Sequence, residues 1–454
     1  MNDVNVSHGA PPQVISHTLE VRRGTASDRG ADLASDLLIR LFRHLETGLV
    51  LRLWNGRALR VGQGAPDPEP PFALVFRHPR AVWSMVLERD PLYLAEAYFR
   101  GDIDIEGDFF AALTLKDHLQ SIRLSAGDRL GALVTALRLR ALDESGPTSG
   151  RLQTLAVKHH SKSENRDAIH FHYDVSNDFY ALWLDRAMVY SCAYFESPDL
   201  DLDQAQYAKL EHICRKLLLR PGQRLLDVGC GWGALVIHAA KHHGVQAHGI
   251  TLSNRQLEVA RRRIAEAGLE DRVTVELRDY RDLPGNEVYD KISSVGMFEH
   301  VGLRNLPLYF STIHRLLKPE GLFLNHGITH KAEGWTRNLS TEFINRYVFP
   351  DGELDTISNI QQVMEREEFE IADVEAWRPH YALTLRAWVA RLEVHHAEAL
   401  NYVNESTYRV WRLYMAACAL EFESGGIGVY QVLAAKRSAG PAALPLTRRF
   451  MYPT

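Results

Sequence analysis

Residues 224–233 read Arg-Leu-Leu-Asp-Val-Gly-Cys-Gly-Trp-Gly, and the apolar helical pattern Ala-Leu-Val-Ile-His-Ala-Ala-Lys-His-His follows at once. A buried strand that ends in three alternating glycines and opens a helix brings backbone close to a ligand, because glycine has no Cβ to block the approach. The pattern continues outward from this turn as strand VQAHGIT, helix NRQLEVARRRIAEAG, and strands VTVELRD, YDKISSV and GLFLNHGI. Such alternation predicts a parallel sheet covered by helices on both faces.

The turn alone leaves nicotinamide, flavin and adenosylmethionine open. A nicotinamide site wants an acidic residue about 20 positions on, against the ribose. Here the second strand ends Gly249-Ile250-Thr251-Leu252-Ser253, without an acid, and no Lys-Ser/Thr follows the turn as in a phosphate-binding P-loop. A bare structural turn is the remaining alternative.

With 454 residues the chain is too long for one ordinary core and suits two domains. Residues 1 to about 30 are polar, with scattered Gly, Ser and Pro, and predict a disordered tail. Residues 31–142 carry short helical and strand patterns, with GDIDIEGD read as turn-rich, and predict a small α/β domain. The run DESGPTSG opens a linker over 143–165, the main domain extends over 166–440, and 441–454 forms a second tail. Between Arg123 and Leu142 a helix pattern sets Leu130, Leu133, Val134 and Leu137 beside arginines. It suits an anionic bilayer surface or a connector packed on its own domain.

The net charge of -5 gives no general attraction to nucleic acid. Four scattered cysteines without a C-x-x-C pair argue against zinc knuckles and disulfides, and fit a reducing cytoplasm. The first residues lack a signal pattern, and no apolar run is long enough to span a bilayer, so any membrane contact is expected to be peripheral. His238 and His242 stand at a helical spacing that can hold metal, but no third ligand is evident in sequence. Surface histidines and no metal are the expectation, and His326 with His330 is treated alike.

From about residue 90 to 436 the chain resembles the cyclopropane-fatty-acyl-phospholipid synthases and the related mycolic acid cyclopropane synthases. The blocks that carry this are HYDVSNDFYALWLDRAMVYSCAYF, LLDVGCGWG, GITLSNRQ, SVGMFEHVG, RLLKPEGLFLNHGIT, YVFPDGELDTI, HYALTLRAWVARLE and CALEFESGGIGVYQVLAAK, in that order. The GDIDIEGD region also resembles the small lipid-side domain of the phospholipid enzymes. The resemblance implies an α/β fold with a class I S-adenosylmethionine-dependent methyltransferase (Rossmann-like) sheet and a smaller N-terminal α/β domain. It implies methylene transfer to the cis double bond of phospholipid acyl chains, a cytoplasmic enzyme at the inner face of the membrane, and a homodimer.

By the same resemblance, Tyr190, Ser191, Asp227, Gly229, Gly231, Gly233, Thr251, Gln256 and Tyr280 hold S-adenosylmethionine. Cys192, Glu299, His326, Tyr381 and the backbone at Ile328 cage a bicarbonate base. Cys418 is a lesser catalytic candidate, and Tyr173 and Tyr414 border the acyl tunnel. Each has an ordinary reading too: Cys192 as a small buried hydrophobe, Glu299 as a helix-start partner, His326 as a satisfied core histidine, the tyrosines as core aromatics. Two departures stand out, Ser176 where glycine is common and Glu423 where a basic residue is common. The alternatives for function are a lipid methyltransferase that stops at a methyl branch and a lipid-binding relative without catalysis.

Overall fold

The computed structural model describes residues 26–42, 45, 48–62, 71–88, 92–121, 125–143, 175–331, 343, 346, 353–437 and 444–452. The first unit holds α1 (Ala26–Phe42), β1 (Leu49–Arg52), β2 (Ala58–Val61), β3 (Phe72–Phe76), α2 (Pro79–Leu87) and α3 (Tyr93–Phe99). It continues through β4 (Ile103–Gly107), α4 (Phe109–Ser121) and α5 (Ala126–Ala141). Its sheet runs β2-β1-β3-β4. Two expectations change here. The first helix begins at Ala26, inside the stretch read as a tail, and GDIDIEGD is an edge strand. Its Asp104 pairs with Arg77 at 2.6 Å and Asp102 with Arg80 at 2.7 Å, so the acids that suggested a turn are held by arginines.

The second unit begins at α6 (Asn177–Ala181) and α7 (Leu202–Lys216). It then alternates β5 (Arg224–Val228), α8 (Ala234–His243), β6 (Gln246–Thr251), α9 (Asn254–Glu266), β7 (Val273–Leu277) and β8 (Tyr289–Val295). After α10 (Leu306–Leu316) and β9 (Leu317–His330) come α11 (Ile357–Arg366), β10 (Phe369–Ala376), α12 (Arg378–Val394), α13 (His396–Ala399), α14 (Glu405–Ser424) and β11 (Ile427–Lys436). The sheet order is β10-β11-β9-β8-β5-β6-β7. Strands β5 to β9 pair in parallel, and β11 inserts antiparallel between β9 and β10. That insertion sets Gln431 beside His326 in register.

Helix ends follow their capping chemistry. Asp201 and Gln204 form a reciprocal capping box on α7, and Ser176 accepts from the Phe179 N–H at 3.1 Å, so serine at this departure serves as a cap. The other departure, Glu423, is paired to Arg386, whose guanidinium lies 4.1 Å over the Phe110 ring.

The two units share a core. Leu92, Tyr98, Phe99 and Phe109 are buried in the same cluster as Trp388, Trp411 and Tyr414. Arg409 on α14 donates to the carbonyls of Tyr98 (3.1 Å) and Ile103 (3.3 Å), and Arg412 lies 3.7 Å over Phe109. In the segment read as a tail, Met451 is 2% exposed and Leu444 and Phe450 pack beside the same core, while residues 445–449 are exposed. Nearly all of the linker segment, 144–165, lies outside the described residues. Among the described residues no helix is long and apolar enough to cross a membrane.

Candidate functional site

A pocket opens over the carboxyl ends of β5, β6 and β8, where the strand order reverses. Gly229 has φ +82 and Gly231 φ +53, a backbone region that side chains resist, and the N–H groups of Gly229 and Cys230 close the turn onto the Ile250 carbonyl. Gly233 (φ +84) starts α8 instead of lining the pocket; a Cβ there would stand 3.3 Å from Ala260 Cβ. Its glycine serves helix packing.

The other expected cofactor residues are brought together. Tyr190, Ser191, Asp227, Thr251, Gln256 and Tyr280 all line this pocket. Thr251 donates to Gln256 Oε1 at 2.7 Å and accepts from the Ser253 N–H, which orders the rim where an acid would stand in a nicotinamide site. Asp227 accepts from Ser293 Oγ at 2.7 Å, and burial pushes its carboxyl up to about 6. Asp279 clamps Arg281 through two bonds of 2.8 and 2.6 Å, setting the turn that presents Tyr280.

Sequence reading missed Lys209. It is 2% exposed on α7, lines the pocket and donates to Ser191 Oγ at 2.9 Å. Burial lowers its ammonium to about 8, and nearby Asp185 is the largest charge opposing that shift. Its helix gives no local warning, since the buried face of α7 also carries Gln206, His212 and Lys216.

Glu299, on the short turn Phe298–His300 after β8, and His326, on β9, are not among the residues that line this pocket. Glu299 is 6% exposed; its Oε1 accepts from the Ile328 N–H at 2.7 Å, and its Oε2 meets no protein partner among the described residues. Burial pushes its carboxyl up to about 7. His326, two residues before Ile328 and on the same strand face, is 2% exposed, with neither ring nitrogen partnered among the described residues. Burial holds it neutral, well below the ordinary histidine range. Its ring stands edge-on to Trp377, at 5.2 Å. The Ile328 N–H is thus engaged by Glu299, which makes it an orienting group for that carboxylate.

Cys192 is fully buried, and its thiol faces the main-chain carbonyls of Ala193 (3.3 Å) and Trp377 (3.8 Å). Burial pushes the thiol well above its ordinary range, which favours the protonated form. Trp377, which sequence reading did not single out, therefore touches both Cys192 and His326. Tyr381 stacks 4.6 Å from Phe422, and Tyr414 and Cys418 lie on α14 in the same apolar cluster. Tyr173 lies outside the described residues.

Of the histidine pairs, His326 and His330 lie on one strand about 13 Å apart and cannot share a metal. His238, expected at the surface, is buried at 5% exposure and bonded to Glu211.

Comparison with known proteins agrees with this geometry. A family model described as "Mycolic acid cyclopropane synthetase" matches residues 160–432. A "Probable fatty acid methyltransferase" from Pseudomonas putida is 42% identical over 411 residues, 90% of this chain and 97% of its own. The "Cyclopropane-fatty-acyl-phospholipid synthase" of Escherichia coli K12 is 42% identical over 263 residues, 58% of this chain and 66% of its own. The crystal structure of mycolic acid cyclopropane synthase CmaA1 complexed with SAH and CTAB superposes with TM-score 0.56 at 35% identity, over 60% of this chain and 98% of that one. The matched residues are those that build the glycine turn and its sheet, and the chain belongs to the mycolic acid cyclopropane synthetase family, S-adenosylmethionine-dependent methyltransferases of the class I fold that act on lipids.

Proposed function

We propose that this enzyme carries the methyl carbon of S-adenosylmethionine to the cis double bond of an unsaturated phospholipid acyl chain and closes it to a cyclopropane, with bicarbonate as the base. The observation that carries the reading is that Glu299 Oε2 and both ring nitrogens of His326 are buried and find no protein partner among the described residues. Buried polar atoms of this kind call for a small polar guest.

The bound cofactor supplies an electrophilic methyl on a sulfonium. Methyl transfer breaks the S–CH3 bond and leaves a carbocation on the acyl chain; loss of a proton from the new methyl closes the ring. The protein's part is to hold and to exclude. Tyr190, packed 5.2 Å from Trp388 and 5.5 Å from Trp183, belongs to an aromatic wall that keeps water from a cation. Neutral His326 offers one N–H and one acceptor, and Glu299, held by the Ile328 N–H, titrates near neutrality and can exchange a proton with an oxyanion. Bicarbonate fits that donor set.

A second reading has support of its own, since the relative matched over nearly its whole length bears the name fatty acid methyltransferase. There the same cation would lose a proton from a neighbouring carbon and leave a methyl branch. The full chain incubated with labelled cofactor and vesicles of unsaturated phospholipid decides between them. A product heavier by one methylene and resistant to mild hydrogenation supports the ring; a hydrogenatable product of the same mass supports the branch.

For access to lipid, we propose that α5 rests on an anionic bilayer surface. Leu130, Leu133, Val134 and Leu137 are 64, 41, 40 and 50% exposed at helical spacing, while Ala132, Ala136 and Leu139 face the core. Arg129 and Arg138 are exposed beside the apolar stripe.

A further inference from the structure

Helices α7 and α8 meet along a seam that the proposed reaction leaves unused. Glu211 and Cys214 stand three apart on α7, and His238 and His243 five apart on α8. One ligand atom each from Cys214, His238 and His243 lies within 4.8 Å of the other two. Glu211 Oε2 bonds His238 Nε2 at 3.1 Å and His243 Nε2 at 3.0 Å, while its Oε1 accepts from Arg215 at 3.0 Å. Cys214 is fully buried, and among the described residues its thiol makes no hydrogen bond. The carboxylate accounts for the two imidazoles; it does not account for a sulfur placed among them.

We propose that Cys214, His238 and His243, with the Glu211 carboxylate, form a structural site for a divalent transition metal, with Zn2+ the ion that this donor set favours. Thiolate, imidazole and carboxylate in a set of four is the composition that tetrahedral zinc takes. Zinc bonds of about 2.0–2.3 Å put the ligand atoms roughly 3.3–3.8 Å apart, so the Cys214, His238 and His243 atoms close by roughly 1.5 Å at most, and Glu211, which stands outside that 4.8 Å group, turns further to join them. Binding releases one proton, from the Cys214 thiol to solvent, and the buried His238 binds as the neutral imidazole. Arg215 and the ring of His242, 4.6 Å from that of His238, are the nearby groups that offset or follow the charge. The site would tie α7, which carries Lys209 into the pocket, to α8, which starts at Gly233.

The test uses the tag-free full chain, stripped of metal and titrated with Co2+ as an optical probe. One equivalent per chain should produce a thiolate-to-cobalt charge-transfer band, and Zn2+ should displace it. Cys214→Ser should abolish the band, and His243→Gln, at a more accessible position, should weaken Co2+ binding at least tenfold, while both variants still bind S-adenosylmethionine. Zn2+ should also raise the Tm of the wild type and leave that of Cys214→Ser unchanged. Absence of the band in the wild type, its persistence in Cys214→Ser, or unchanged affinity in His243→Gln would overturn the proposal.

Discussion

Replacing Glu299 by glutamine should make the protein more stable and less active at once. Burial raises the carboxyl from 4.5 to about 7, and at about 1.4 kcal/mol for each pH unit the gap sets an upper bound of about 3 kcal/mol. An acid whose folded pKa lies above its unfolded one holds its proton more tightly when folded. That contribution is whole below 4.5 and is lost as pH rises through about 7. On the alkaline side the wild type therefore carries a buried carboxylate, whereas Glu299→Gln stays neutral and keeps the Ile328 N–H bond through its amide oxygen. Denaturant unfolding at about pH 5 and about pH 8.5 should give similar stabilities at the first and an excess of up to about 3 kcal/mol for the variant at the second. Turnover should fall by about a hundredfold or more, with S-adenosylmethionine affinity changed less than about threefold. A stability difference that ignores pH, or a variant less stable at alkaline pH, would refute the burial argument. Equal losses of turnover and cofactor affinity would refute the placing of Glu299 at the reaction.

Lys209→Met should raise the Kd for S-adenosylmethionine by about tenfold at neutral pH, and calorimetry should show wild-type affinity falling above about pH 8, as the ammonium deprotonates, while the variant stays flat. Gly327→Ala would drive a methyl into the Phe298 ring beside Glu299, so it should cost about 1–3 kcal/mol in denaturant and depress turnover more than cofactor binding. The double variant Arg129→Glu, Arg138→Glu should lower cosedimentation with phosphatidylglycerol vesicles by at least tenfold, and unchanged binding would remove α5 from the lipid surface. Light scattering on the full chain should return a dimer; a monomer would contradict the expectation drawn from family resemblance.

The glycine turn, the alternation after it and the cofactor rim were legible because each is written in neighbouring residues. Asp227 to Gly233 is one turn, and Thr251 to Gln256 is one strand end with its helix cap. The set of Cys192, Glu299 and His326 was legible only through resemblance, since Cys192 and Trp377 stand 185 positions apart and no local pattern joins them. Lys209 escaped notice because a lysine in a helix reads as solvated until the strands around it are placed. The edge strand Ile103–Gly107 was mistaken for a turn because its acids, Asp102 and Asp104, take their meaning from arginines brought in by the fold. The burial of Met451 likewise depends on a partner surface that a short terminal segment cannot announce. His238 looked like a surface residue because its partner, Glu211, belongs to another helix.

The grip of Arg409 and Arg412 on Tyr98, Ile103 and Phe109 has a mechanical meaning. Those arginines sit on α14 within about two and a half helical turns of Tyr414 and Cys418, so the first unit and the apolar cluster behind the site are mortised to one beam. A first unit lying flat on a bilayer would fix the heading of that beam. Posture on the surface and the direction from which an acyl chain enters then become a single variable, set by two guanidinium groups.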